Sequence, residues 1–263
     1  MDLSEALELA RRLALIGGRT AASYYGRDYD TALKADGTWA TEADIQAERA
    51  MRIELARAHP EHNVLGEEEG LTAASGESAR PGAPTWVIDP IDGTNNFMRR
   101  IPIWGTLVGL EVDGRFVAGA AYAPALGELY DAATGLGARM NDAPIAVDPL
   151  DDLSKATVVL GGDRYFAEIG METLPAELAR RSARSRGFGD FWGHTLVARG
   201  AAHVMVDPIL SPWDYAALVP IVTEAGGRVS QLDGSEPAPQ GSVVSTNGIL
   251  HDEVLAVAAL IRA

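Results

Sequence analysis

The segment TWVIDPIDGTNNF, residues 85–97, restricts what this chain can fold into more than any other stretch. Its apolar start, Trp86, Val87 and Ile88, is short and runs into turn residues, which predicts a buried strand. The strand then ends in two aspartates three residues apart, Asp89 and Asp92, around Pro90, followed by Gly93 and Thr94. Like charges crowded at the end of a buried strand are costly unless they face water or share a cation. Pro, Asp and Gly are also good turn residues. Taken alone, the segment is either a turn or a cation site, and the rest of the chain has to decide.

The 263 residues allow a sizeable core, either as one large domain or as two lobes sharing an interface. The N-terminus, MDLSEALELARRLALIGG, carries acids early and reads as an amphipathic helix rather than a leader. No apolar run approaches the roughly 18–20 residues of a membrane span, so no membrane partner is expected. Without cysteines, disulfides, thiolate chemistry and sulfur-ligated metals are excluded, and a cytoplasmic address fits. The formal net charge of −15, from 37 acids against 22 bases, argues against direct binding to nucleic acid. It would also repel an anionic substrate unless a cation intervened.

Along the chain, residues 3–25 have helical spacing, and a second helix begins near Thr41. There TEAD places Asp44 three residues after a capping hydroxyl, and the HP pair at Pro60 ends the helix. NVLG and TWVID read as strands, with TAASGESARPGAP between them as a surface loop. From Trp104 to Val147 the pattern is strands, with Asp113-Gly114 as a hairpin turn between TLVGLEV and RFVAGAAYA. GELYDAA and ARMNDAPIAV predict a further antiparallel pair. Beyond about 150, strands alternate with helices expected near 165–182, 190–199 and 214–225, followed by SVVST and a C-terminal helix. This predicts an α/β or α+β fold with mixed sheets and two lobes, 1–150 and 151–263. The first would carry most of the metal ligands, the second Asp214 and the segment that selects the substrate.

Three acid-bearing segments stand at the ends of apolar runs: LGEEEG with Glu67, Glu68 and Glu69, VIDPIDGT with Asp89 and Asp92, and SPWDYAAL with Asp214. Singly, the glutamates fit a solvated loop and Asp214 a helix N-cap. Together they form an oxygen-only set suited to a hard cation, Mg²⁺ or Mn²⁺. Four carboxylates would neutralise two Mg²⁺ ions, and an arriving phosphate could recruit a third. Metal pairs of this kind support in-line phosphoryl transfer to water. Gly93 allows close backbone approach to a phosphate, and Thr94 opens the next segment, where main-chain N–H groups can meet an anion. Magnesium-dependent hydrolysis of a small phosphate ester is the expectation.

GEE, WVIDPIDGTNNF and WDYAALVPIVTEAGG, in this order, resemble the inositol monophosphatase family. LKADGTWATEAD near the start and AYAPALGELYDAATGLGARMNDAPI in the middle extend the resemblance over nearly the whole chain. It implies a layered αβαβα sandwich and a lithium-sensitive, Mg²⁺-dependent phosphomonoesterase, commonly a homodimer. Carried onto this sequence, it implies that Glu67, Asp89 and the carbonyl of Ile91 hold one metal, and Asp89, Asp92 and Asp214 a second. Glu67 would share a third through water. Thr94, bonded to Asp44, would orient the attacking water together with Glu67. Gly93 and Thr94 would bind phosphate through their N–H groups, and Lys34 would lie on the loop that closes over the site.

For the leaving group, residues 187–193 depart from the small-residue pattern GSAAL of family members that act on inositol phosphates. Asp190, Phe191 and Trp192 there, and Asp207 in VDPILSPWD, suit a cationic, planar group. The combination is similar to the histidinol-phosphate phosphatases of the family, and makes Asp190 the candidate for the substrate ammonium and Asp207 a second contact. Phe191 and Trp192 could instead be core, and His194 a packing residue. The alternatives are an inositol-1-monophosphatase, a sugar or nucleotide phosphatase using the basic run RRSARSR (180–186), or a non-catalytic partner in a transcription complex.

Overall fold

The computed structural model describes residues 2–33 and 39–262. Side chains alternate between the two faces of a strand, and in the central strands both faces are apolar. In Gly105–Val112, Val108 and Leu110 pack with Trp86 and Ile88 against Leu13, Met51 and Leu55 of the helices Leu3–Ala22 and Glu42–Ala58. Leu107, on the opposite face, packs with Phe191, Leu218 and Ile221 of the helices Asp190–Ala198 and Leu218–Glu224.

A second sheet repeats the logic. Val159 and Met205 pack on Leu196 and Val197 of Asp190–Ala198. Val158, Leu160, Val204 and Val206 face the other way, onto Phe166, Leu174, Leu178 and Val254 of the outer helices. A strand buried on both faces needs a helix layer on each side, and the result is five layers, αβαβα. The fold class expected from the sequence is the one observed.

The first sheet has eight strands, in the order Ala143–Pro144, Gly137–Met140, Glu128–Ala133, Arg115–Ala123, Gly105–Val112, Thr85–Asp92, Asn63–Gly66 and Gly70–Ala73. All neighbours are antiparallel except Asn63–Gly66 against Thr85–Asp92. The second runs Arg184–Arg186, Thr157–Leu160, Val204–Leu210, Gly241–Thr246 and Arg228–Ser230. Asp113 (φ 51) and Gly114 (φ 75) form the two-residue hairpin turn, both in the left-handed region that the strand twist favours.

One close approach positions the functional site. Gly109 and Gly119 lie opposite each other across Gly105–Val112 and Arg115–Ala123. A Cβ on Gly109 would come within 2.6 Å of the Ala216 backbone, and one on Gly119 would strike the Ala217 backbone. The two glycines make a flat seat for the joint between the helices Pro212–Tyr215 and Leu218–Glu224, and so bring Asp214 to the sheet that carries Asp89.

Several expected elements differ. The helix expected over 165–182 is two, Asp163–Glu168 and Leu174–Arg181, parted at Gly170, whose φ of 68 ends a right-handed helix. The helix expected over 214–225 is broken at Ala216–Ala217, where it meets the glycine seat. Thr72 and Ala73, assigned to a loop, belong to the strand Gly70–Ala73, and Ala73 and Ala74 are buried. Arg228–Ser230 is a strand the sequence pattern did not mark. Among the described residues no helix is long and apolar enough to cross a membrane.

Candidate active site

The strand Thr85–Asp92 loses its register against Gly105–Val112 between Asp89 and Asp92, where the acids sit. Such irregularities re-aim side chains. The Ile91 amide donates to Asp89 Oδ1 (2.9 Å), folding the chain around the carboxylate. Gly93 (φ 83, ψ 38) then turns it into the short helix Thr94–Met98. Thr94 Oγ1 donates to the Ile91 carbonyl at 2.9 Å and lies 3.4 Å from Asp44 Oδ1.

Asp44 is fully buried and completes the capping box of Glu42–Ala58. Its Oδ2 accepts from the Thr41 amide (2.7 Å) and hydroxyl (2.6 Å), which leaves Oδ1 towards Thr94. Asp214 is used in a related way. Ser211, not Asp214, is the N-cap of Pro212–Tyr215, and Asp214 Oδ2 accepts from the Ser211 amide at 2.6 Å. One bond to the backbone thus fixes each acid without using up its oxygens.

Oxygens of Asp89, Asp92 and Asp214 all lie within 4.8 Å of one another. Burial pushes the Asp89 carboxyl well above the usual range, and the charges of Glu67, Asp92, Asp214 and Asp44 push it further. Asp92 is raised in the same direction by burial, Asp190 and Asp214. Asp214 is pushed up to about 7, first by burial, although its bond from Ser211 opposes the shift. A buried acid surrounded by acids must take up a proton or meet a cation. The donor set, carboxylates with a carbonyl nearby, fits a hard divalent ion. By that chemistry the residues present suit a divalent metal of the kind the sequence resemblance implies.

Glu67 occupies the turn joining Asn63–Gly66 to Gly70–Ala73, and its charge is felt at Asp89, Asp44 and Asp214. The loop is held by Glu48, a fully buried acid that sequence reasoning passed over. Glu48 Oε2 accepts from the Glu68 amide (2.8 Å), and Oε1 accepts from the Glu69 amide (3.0 Å) and Arg52 Nε (2.9 Å). A side chain at Gly66 would collide with that carboxylate. Glu48 is three residues before Met51 on an apolar-patterned helix, and no signal beyond that burial marked it.

Asp190 starts the helix Asp190–Ala198 and reaches the same place. A Cβ on Gly93 would stand 3.4 Å from Asp190 Oδ2. Burial, and then the charge of Asp207, raise the Asp190 carboxyl to about 7, against a hydrogen bond from Asn96. Asp207, 6% exposed, packs on Gly161 and meets His194 Nε2 at 3.3 Å. His194, fully enclosed, also bonds Ser245 Oγ through Nδ1 at 2.7 Å, as a packing residue would.

The aromatic platform does not survive. Phe191 is a fully buried core residue beneath Gly105. Trp192 Nε1 donates to Glu128 Oε2 (3.1 Å), and Arg199 already lies 5.8 Å above its ring. In the basic run, Arg180 and Arg181 pair with Glu177, and Arg184–Arg186 is an edge strand. Lys34 lies outside the described residues. A second cluster, His59, Glu61 and His62, does not suit a metal. Trp86 Nε1 donates to His62 Nδ1 at 3.1 Å, which places the proton of neutral His62 on Nε2, where an ion would have to bind.

Residues 2–262 match the inositol monophosphatase family. The histidinol-phosphatase of Chlorobaculum parvum is 38% identical over 97% of this chain and 95% of its own length. That of Mycobacterium tuberculosis is also 38% identical, over 97% of this chain and 96% of its own. The structure of an inositol monophosphatase from Anabaena superposes with a TM-score of 0.85 at 28% identity, covering 99% of this chain and 97% of that one. The chain belongs to the inositol monophosphatase family and, with it, to the phosphoric monoester hydrolases.

Proposed function

We propose that the protein hydrolyses L-histidinol phosphate to L-histidinol and phosphate with Mg²⁺, a step of histidine biosynthesis. The observation that carries the substrate is Asp190, whose Oδ2 would stand 3.4 Å from a Cβ on Gly93, the residue proposed to meet the phosphate. An ammonium arriving there forms a charge-assisted hydrogen bond and restores the ionised carboxylate. Asp207 adds negative charge from a more enclosed position.

Glu67, Asp89, Asp92, Asp214 and the Ile91 carbonyl would hold two or three Mg²⁺ ions, and Mn²⁺ suits the same donors. When bound, such ions neutralise phosphate charge and make water acidic enough to attack at neutral pH. The chain's own part is positioning. Gly93 and Thr94 open a helix, where main-chain N–H groups lack an intrahelical acceptor and can meet phosphate oxygens. Thr94, whose hydroxyl donates to the Ile91 carbonyl or to Asp44, can accept a hydrogen bond from the attacking water and so orient its lone pair towards phosphorus, while Glu67 takes the single proton that the water loses. A homodimer is proposed from the family resemblance, and a cytoplasmic address from the cysteine-free composition.

Phosphate release from L-histidinol phosphate and from myo-inositol 1-phosphate, each with Mg²⁺ and with chelator, tests the proposal. A Mg²⁺-dependent preference for histidinol phosphate is expected. A preference for the inositol ester would overturn the substrate, and hydrolysis of neither would overturn the phosphatase. Asp190→Ala should weaken histidinol phosphate selectively, by about 10- to 100-fold in kcat/KM, as expected for one charged hydrogen bond.

A further inference from the structure

The turn that delivers Asp190 is strained. Gly189 has φ 60 and ψ −173, a region open only to glycine, and Asp190 follows with φ 49. Such a turn persists only where its surroundings hold it. Two residues of the phosphate segment do so. Asn96 Nδ2 donates to Asp190 Oδ2 at 2.9 Å, and Asp92 Oδ1 lies 3.4 Å from the Phe191 amide. The second donor on Asn96 Nδ2 goes to the Ile103 carbonyl, also at 2.9 Å. With both hydrogens used, the amide plane is fixed and its nitrogen stays aimed at Asp190.

Asn96 is two residues beyond Thr94, on the same helix Thr94–Met98. The helix proposed to meet the phosphate and the acid proposed to meet the leaving group are therefore tied together, by a bond between residues 94 positions apart in sequence. We infer that Asn96 is a positioning residue for substrate selectivity: it holds the Asp190 carboxylate at the spacing from Gly93 that an ammonium-bearing phosphate ester requires. The inference rests on the proposed function and adds to it a residue that acts through Asp190.

The rival is a local role, in which Asn96 only holds the chain at Ile103. A double-mutant cycle separates them, because coupled residues are non-additive. The full-length protein with Mg²⁺ is assayed as wild type, Asn96→Ala, Asp190→Ala and the double variant, on L-histidinol phosphate and on glycerol 2-phosphate. Asn96→Ala should lower the selectivity ratio, the quotient of the two kcat/KM values, by about tenfold, mostly through KM for histidinol phosphate. The same change made on Asp190→Ala should leave the ratio where it was. Calorimetric affinity for L-histidinol itself should fall by a similar factor in Asn96→Ala. Asn95→Ala, on the exposed face where Arg99 takes its carbonyl, should not move the ratio.

Equal losses on both esters, or the same loss of ratio with and without Asp190, would overturn the inference and leave the substrate standing. A wild-type protein with no preference for histidinol phosphate would overturn both. Where Asn96→Ala does not fold, Asn96→Leu keeps nearly the same volume, removes both donors without adding a charge beside Asp190, and is read in the same way.

Discussion

Asp131 and Asp89 are both carboxylates buried in the eight-stranded sheet, and their neighbours are opposite. Asp131, fully enclosed, meets Arg11 and, at 2.7 Å, Arg139. Burial still raises its carboxyl, but both guanidiniums pull it back towards the charged form. Asp89, 1% exposed, has Glu67, Asp92, Asp214 and Asp44 as the charges acting on it, all adding to the effect of burial. An acid with its own counter-charge joins the helix Leu3–Ala22 to the sheet and is complete as it stands. An acid ringed by acids marks where a cation from outside belongs.

The comparison breaks most sharply at Asp89. Asp89→Asn should lower turnover on the order of a thousandfold, since even outer partners of metal ligands are worth about 10- to 100-fold. The same variant, without metal, should melt a few degrees above the wild type, because a buried amide needs neither a proton nor a cation there. Asp131→Asn should do the reverse. Leaving Arg139 without its partner, and Arg11 with Asp142 alone, costs about 3 kcal/mol in denaturant unfolding, while the folded fraction keeps its turnover.

Gly119→Ala tests whether the sheet positions Asp214. Its Cβ would press on the Ala217 backbone, which has no flexible end to yield. A loss of roughly tenfold to a hundredfold in kcat is expected, as for a displacement near 1 Å. Unchanged kcat with an intact fold would show that Asp214 does not depend on that seat.

The smallest effect lies far from the site, at His251. It is fully buried between Ser230 Oγ (2.9 Å) and Thr246 Oγ1 (3.0 Å), near Arg228 and Asp252. Burial, and then Arg228, lower its pKa to about 4. The unfolded chain therefore binds the extra proton first, and the histidine's contribution is complete above about pH 6.5 and lost as pH falls towards 4. His251→Asn should lose about 2 kcal/mol more stability at pH 7.5 than at pH 5, measured by urea unfolding at both.

Local chemistry was legible in the sequence. DPIDGT, the Asp113-Gly114 turn and the TEAD cap are set by neighbours within four residues, and the structure shows a chain bend, a hairpin and a capping box there. What stayed hidden depends on partners far along the chain. Trp192 reads as an open aromatic until Glu128, 64 residues away, takes its N–H. Glu48 is one acid among many until the amides of Glu68 and Glu69 converge on it. The break after Tyr215 is half legible, in Pro220, which offers no N–H to the Ala216 carbonyl; the seat made by Gly109 and Gly119 lies about a hundred residues away and was not.

The most direct test of the acid cluster is calorimetric titration of Mg²⁺ into metal-free protein, wild type beside Asp89→Asn. Saturable binding in the wild type that is lost or at least about tenfold weaker in the variant is the result expected. Equal binding by both, or none by the wild type, would contradict the assignment of Asp89, Asp92 and Asp214 as the place of the metal.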